Sequence, residues 1–138
     1  MKKQLFLSQF LLMLTCQLFA QQNDYRVIFD MSTRDTVSQQ ALIRELDLIR
    51  KENPAAKLEV VVYGQAMSLV TKDKSKHAEA ISRLLADSNT SFKVCSFTMK
   101  RFNVDEKSLV SGVKIVPDGI YEIISKQREG WGYIKVAH

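Results

Sequence analysis

A chain of 138 residues with 46% hydrophobic side chains is long enough for one domain with its own core, so neither disulfide nor metal staples are required. Its 20 basic and 15 acidic side chains give a formal net charge of +5, dispersed along the chain rather than massed into a stripe. With no ladder of aromatic and basic residues, this pattern argues against nucleic acid as a partner.

The first twenty residues stand apart. Lys2 and Lys3 form a basic start, residues 5–19 form an apolar run broken only by Ser8, Gln9, Thr15 and Gln17, and Ala20 places a small residue before polar Gln21. This is the pattern of a secretory signal peptide, too short and too polar for a spanning helix. Cleavage near Ala20 is expected, with export to the periplasm or beyond, a single domain over residues 21–138, and no membrane association afterwards. The alternative, a lipoprotein anchored at Cys16, is poorly served by Thr15 before that cysteine and Met13 three before it. Removing the segment, with its two lysines and no acid, leaves 118 residues with 18 basic and 15 acidic side chains. It also leaves Cys95 as the sole cysteine, so no intramolecular disulfide can form. In an oxidising compartment such a thiol is a packing residue, a reactive group or an intermolecular partner.

Residues 25–31 (YRVIFDM) are a run of β-formers that predicts a strand buried on both faces. Thr36 followed by Gln39 resembles a capping box. Val37, Ala41, Leu42, Leu46 and Ile49 then recur at helical spacing until Asn53 and Pro54 stop the pattern. Residues 58–63 (LEVVVY) predict a second strand, closed by Gly64, where the backbone can turn tightly or approach a ligand. Residues 66–70 are a short apolar segment, residues 72–76 a charged exposed one, and residues 77–86 a second long helix with Ala80, Ile81, Leu84 and Leu85 on one face. A third strand ends with Phe92, Lys93 and Val94. Residues 96–102 predict a short amphipathic helix with Phe97 and Phe102 apolar, Lys100 and Arg101 solvated, and Asn103 as its left-handed terminator. Asp105 can cap a turn through Leu109, and residues 113–116 predict a fourth strand. Pro117 and Asp118 open a helix with acids first and Lys126 and Arg128 last, as the helix dipole favours, and Gly130 stops it. Residues 131–136 (WGYIKV) predict a fifth strand. Strands alternating with helices and no hairpin signal imply an α/β fold, a mainly parallel five-stranded sheet covered on both sides.

Cys95 falls where the third strand gives way to a helix, and in open α/β sheets ligands bind beyond the carboxyl ends of strands. Helix N–H groups there favour an anion such as a thiolate or persulfide, and Lys93 or Lys100 would add positive charge. Free cysteine is also commonly a small buried hydrophobe. Spacing alone does not choose between the two.

Several residues together carry a family likeness: Cys95 followed by Thr98 and Met99, a basic helix end, Asn103 and Val104, then Leu109, Gly112, Val113, Val116, Pro117, Gly119, Gln127, Gly130, Trp131, Tyr133 and Ile134. Gly64 and Ala66 after the second strand fit as well. The pattern resembles the DsrE/DsrF-like family of small sulfur-relay proteins over most of the chain after residue 24. The resemblance implies a three-layer α/β/α sandwich and a sulfur-bearing cysteine at Cys95. It also implies a site wall drawn from Gly64, Ala66, Ser96, Phe97 and Thr98, no cofactor, and a trimeric or hexameric assembly with a sulfur donor or acceptor protein as partner. The relay partners of that family are cytoplasmic, whereas this chain carries an export pattern.

Other candidates are less specific. Asp30, Ser32 and Arg34 lie after the first strand and are read as a solvated loop and helix entry, or as groups that bind a ligand or approach Cys95. Tyr63 and Gly64 are read as crevice wall or strand-end packing, and Trp131 and Tyr133 as core or subunit interface. His77 and His138 have no cysteine or carboxylate at ligand spacing, so no metal site is indicated. There is no Gly-rich phosphate loop and no Ser/His/Asp pattern. Two functions remain: a sulfur carrier working through Cys95, and a non-catalytic binding or assembly module in which Cys95 only packs.

Overall fold

The computed structural model describes residues 25–137; the expected export segment, Cys16 and His138 lie outside them. Five strands and four helices alternate: β1 (Arg26–Met31), α1 (Thr36–Glu52), β2 (Lys57–Val62), α2 (Ala78–Leu85), β3 (Thr90–Cys95), α3 (Ser96–Phe102), β4 (Lys114–Val116), α4 (Gly119–Arg128) and β5 (Gly132–Val136). Short 3-10 turns at Gly64–Val70 and Glu106–Ser108 complete the order. All four strand pairings are parallel and the sheet order is β4-β3-β2-β1-β5.

That order decides which helix lies on which face. The chain steps from β1 to β2, β3 and β4 in one direction, then returns across the whole sheet to β5. Parallel crossovers are right-handed in nearly all proteins, so the forward steps place their helices on one face and the single return places α4 on the other. Side-chain alternation agrees. Phe29, Val60, Phe92 and Val94 share one core with Leu42 and Leu46 of α1 and with Ile81 and Leu84 of α2. On the opposite face Ile28 and Val61 meet Ile123 of α4, with Tyr63 and Trp131 at the margin. The result is a three-layer α/β/α sandwich with a thick apolar core on the α1/α2 face and a thin, polar one under α4.

Local structure follows the sequence with three corrections. The N-cap of α1 is Asp35, whose carboxylate accepts from the Ser38 N–H at 2.6 Å, while Gln39 donates to the Thr33 carbonyl; Thr36 is already inside the helix. Val37 is 74% exposed rather than part of the apolar stripe. It sits five positions before buried Leu42, about 140° round the helix, so both cannot face the sheet. Phe97 and Phe102 are also five positions apart and both are exposed. The inward side of α3 is instead Thr98 and Met99, and Met99 belongs to the α1/α2 core. Asn103 ends α3 in the left-handed conformation, at φ 52° and ψ 48°. Among the described residues no helix is long and apolar enough to cross a membrane.

The α4 face holds three charges in place of an apolar centre. Lys93 of β3 lies between two carboxylates, 2.9 Å from Glu59 of β2 and 2.6 Å from Glu122 of α4. Glu59 is 3% exposed, and its Oε1 has no partner among the described residues. Burial pushes the Glu59 carboxyl above its ordinary range; Lys93 offsets only part of this, and the neighbouring Glu122 adds to the rise. Glu122 moves the other way, because hydrogen bonds from Lys93 and Glu59 outweigh its own burial. Burial pulls the Lys93 ammonium down, but bonds to Glu122 and Glu59 outweigh it and hold it above the ordinary lysine value.

Removing the cation from this triad leaves a buried carboxylate without compensation, a change that typically costs about 3 to 5 kcal/mol. Lys93→Met is therefore expected to lower unfolding free energy by about 3 kcal/mol at pH 7. A raised Glu59 keeps its proton in the folded protein after the unfolded chain has released it, so its contribution to stability falls as pH rises above 4.5. The Lys93→Met loss should shrink towards pH 4 as Glu59 protonates, and Glu59→Gln in the same chain should restore part of it at pH 7. Urea denaturation at the two pH values measures this; an equal loss at both would mean the charge is not the cause.

Candidate functional site

Cys95 is the last residue of β3 and the N-cap of α3, with extended backbone at φ −72° and ψ 123°. Its partner across the ladder is Val116, the last residue of β4. From these two adjacent strand ends the chain leaves in opposite directions. After Cys95 it enters α3, whose Met99 packs into the α1/α2 core; after Val116 it passes Pro117 and enters α4 on the other face. This divergence is a topological switch point, the place where open α/β sheets leave a crevice for ligands.

The cysteine side chain points to the α4 side, and the start of α4 closes over it. A Cβ built on Gly119 would stand 3.1 Å from Val61 Cγ1, 3.3 Å from Cys95 Cβ and 3.6 Å from Tyr63 Cβ. Only glycine lets the helix come this close to the sheet. The Cys95 thiol donates to the Pro117 carbonyl at 4.0 Å, and the Ser96 hydroxyl donates to the same oxygen at 3.0 Å. Cys95 is 6% exposed. Two first-turn N–H groups of α4 are already taken, since Asp118 Oδ1 accepts from Ile120 and Tyr121 at 2.8 and 3.3 Å. No side chain caps α3.

The carboxyl-end loops are stitched to one another. Tyr63 N–H donates to the Met31 carbonyl, Gln65 N–H to the Ser32 carbonyl, and Gly64 N–H to Thr98 Oγ1, each at 3.1 Å. Gly64 has φ +58°, the left-handed turn that brings its N–H round to Thr98. Beside this lies a polar cluster from β1, β2 and β5. Asp30, 5% exposed, accepts from Tyr133 OH at 2.7 Å and from Lys135 Nζ at 2.9 Å. Lys135 Nζ also donates to Ser32 Oγ at 2.8 Å and to Tyr63 OH at 3.3 Å.

The residues singled out in the sequence separate into groups. Cys95 and Ser96 meet at Pro117. Gly64 and Thr98 meet through their hydrogen bond, while Ala66 is fully buried and serves packing. Phe97 is 63% exposed and turns away from the thiol. Lys93 is held by Glu59 and Glu122, so it brings no free positive charge to Cys95. Asp30 is a buried strand residue rather than part of a loop, and Ser32 shares its lysine; Arg34 is exposed. Trp131 packs at the margin of the α4 core between the Arg26 guanidinium and the Lys126 ammonium, and Tyr133 is an exposed edge-strand residue tied to Asp30. Lys135, Glu59 and Glu122 carried no sequence signal: their partners come from strands and helices far away in the chain. Among the described residues no group of three or more His, Cys, Asp or Glu side chains is arranged to hold a metal ion.

A profile of the DsrE/DsrF-like family matches residues 20–136. The chain belongs to the DsrE/DsrF-like family. Among solved structures it is similar to a protein of unknown function from Methanobacterium thermoautotrophicum, with 29% identity and a TM-score of 0.76 over 81% of this chain and 99% of the other. The ychN protein from E. coli shares 12% identity with a TM-score of 0.66, over 80% and 97% of the two chains. A conserved protein of unknown function from Bacteroides thetaiotaomicron also shares 12%, with a TM-score of 0.65 over 82% and 96%. At that identity these two likenesses concern the fold alone. No curated protein matches the chain.

In this DsrE-like chain the contact at Gly119 controls how closely α4 covers Cys95. Gly119→Ala adds a methyl within 3.1 Å of Val61 and 3.3 Å of Cys95, so the helix start must lift. Overpacking of this kind costs about 1 to 3 kcal/mol. The expected result is that loss in unfolding free energy together with faster alkylation of Cys95 by iodoacetamide in the folded protein. Unchanged alkylation would mean that α4 does not cover the thiol.

Proposed function

We propose that this protein is a sulfur carrier in which Cys95 takes up a sulfane sulfur as a persulfide and passes it to a partner thiol. The observation that supports the reading is the position of Cys95 at the β3/β4 switch point of a DsrE-like fold, at a strand-to-helix junction. The chemistry needs no cofactor. The Cys95 thiolate attacks the outer sulfur of a donor persulfide, the donor S–S bond breaks, and the donor thiolate leaves with the electron pair. An acceptor thiolate then attacks the outer sulfur on Cys95, and the Cys95 thiolate leaves in turn.

A second reading has its own observation. Cys95 is buried, its thiol donates to the Pro117 carbonyl, and no described N–H group bonds its sulfur. That environment favours a packing residue in a non-catalytic binding or assembly module. Sulfur transfer on the first reading requires the start of α4 to move, since a donor must reach the sulfur.

The proposal extends to compartment and assembly. The basic, apolar and small-residue pattern of residues 1–20 supports export with cleavage near Ala20. The exposed apolar side chains Ile120, Tyr121 and Ile124 on one side of α4, with Phe97 on α3, support a homo-oligomer, trimeric or hexameric as the family resemblance implies.

Intact-mass spectrometry of protein treated with a polysulfide donor separates the two functions. Wild type is expected to gain the mass of one sulfur atom, removable by dithiothreitol, and Cys95→Ser to gain none. Equal masses for treated and untreated wild type would end the carrier reading and leave the binding module. The same spectrum reads the N-terminus, expected near Gln21 in natively expressed protein. Light scattering at micromolar concentration is expected to show an oligomer that Ile120→Asp weakens; a monomeric wild type would overturn the assembly claim and leave the fold untouched.

A further inference from the structure

The Asp30, Ser32, Tyr63, Tyr133 and Lys135 cluster lies on the same side of the sheet as Cys95, at the carboxyl ends of β1, β2 and β5. Its hydrogen-bond directions are informative. An ammonium has three hydrogens, and those of Lys135 go to Asp30 Oδ1, Ser32 Oγ and Tyr63 OH at 2.9, 2.8 and 3.3 Å. The two hydroxyl oxygens therefore act as acceptors, and each retains its own hydrogen as a donor. Among the described residues neither the Ser32 nor the Tyr63 hydroxyl donates to any group. Asp30 cannot take them: it is 5% exposed, with one oxygen bound by Lys135 and the other by Tyr133.

The arrangement has a buried layer and an open one. Asp30 and Tyr133 fix the lysine from behind. The hydrogen bond to Asp30, followed by burial, raises the Tyr133 pKa, so this hydroxyl stays protonated and keeps donating. The Lys135 side chain is 42% exposed, and the half-exposed Ser32 and Tyr63 stand beside its head group. A cation that polarises two hydroxyls leaves two strengthened O–H donors next to a positive charge, which is the requirement of a small anion. The positions are rigid. Ser32 and Tyr63 belong to loops joined by the Gln65-to-Ser32 and Tyr63-to-Met31 backbone bonds, both 3.1 Å long. Tyr63 also links the cluster to the cysteine, since its Cβ and that of Cys95 lie 3.6 and 3.3 Å from one point at Gly119.

We propose that Ser32, Tyr63 and Lys135 form a docking site for a small sulfur-containing anion of the thiosulfate class, next to Cys95. The anion's charged oxygens take the two hydroxyl hydrogens beside the ammonium, whose own three hydrogens stay on Asp30, Ser32 and Tyr63, and its outer sulfur meets Cys95 once the start of α4 moves. The sulfur identity of the anion rests on the carrier reading of Cys95; the anion site itself does not.

The test uses thiosulfate as the probe and Cys95→Ala protein, so that binding is read without sulfur transfer. Isothermal titration is expected to show saturable binding that weakens about tenfold or more in Lys135→Met, the effect of losing the cation that holds and polarises both hydroxyls. Because Lys135→Met also strips Asp30 of its cation, Tyr63→Phe and Ser32→Ala are measured alongside. They leave the Asp30–Lys135 pair intact, and each is expected to weaken binding about three- to tenfold with an unchanged melting curve. Affinity unmoved by Tyr63→Phe and Ser32→Ala, or no binding to Cys95→Ala, overturns the site. Thiosulfate binding that follows the three variants, in a protein whose wild type gains no sulfur from polysulfide, keeps the anion site and removes the carrier reading. Sulfur loading of wild type with no thiosulfate binding to Cys95→Ala does the reverse.

Discussion

One ten-residue helix has to cover a face that five parallel strands present, because only the return from β4 to β5 runs against the direction of the other crossovers. The α1/α2 side has two helices, a 3-10 turn and α3 to bury its apolar side chains, and it forms the main core. The α4 side has too little cover for an apolar layer of that size. Its apolar cluster is small, and the strands turn Asp30, Glu59, Lys93, Tyr133 and Lys135 toward it. Buried charges survive there only as pairs and triads, since each one left alone would be strongly destabilising. Both polar groupings therefore follow from topology.

That imbalance also sets where the protein is firm and where it can yield. The carboxyl-end loops of β1, β2 and β3 are joined by backbone bonds and by the left-handed turn at Gly64. The start of α4 is held differently, by one close glycine contact, its own Asp118 cap, the Lys93–Glu122 ion pair and the Cys95 and Ser96 side chains that donate to the Pro117 carbonyl. Elements with few buried apolar contacts open at lower free energy than the core strands. Cys95 therefore sits between loops joined by backbone bonds and a helix start with few buried apolar contacts.

The periodic parts of the chain were legible in order. Runs such as residues 25–31 and 58–63 fall within one residue of the observed strands, because a buried parallel strand is a local property of consecutive β-formers. The junction at Cys95, the left-handed Asn103 and the stop at Gly130 were also legible, each being decided by the few residues around it. Facing was harder. Val37, Phe97 and Phe102 were assigned to apolar faces from their chemistry, but helix geometry puts them in solvent; polar Ser38 and Gln39 lie inside through local bonds at the α1 cap, and Thr98 through its bond from distant Gly64.

Sequence by itself determined an α/β fold of the DsrE-like kind with Cys95 at a strand-to-helix junction, since composition, alternation and local turn chemistry need no knowledge of distant contacts. Tertiary structure decided what surrounds that cysteine. Asp30 meets Lys135 across 105 residues only because β5 is added beside β1, and Lys93 loses its free charge only because α4 crosses back over β3. Neither pairing has a local signature, since it depends on strand order and register, which no short stretch of the chain encodes.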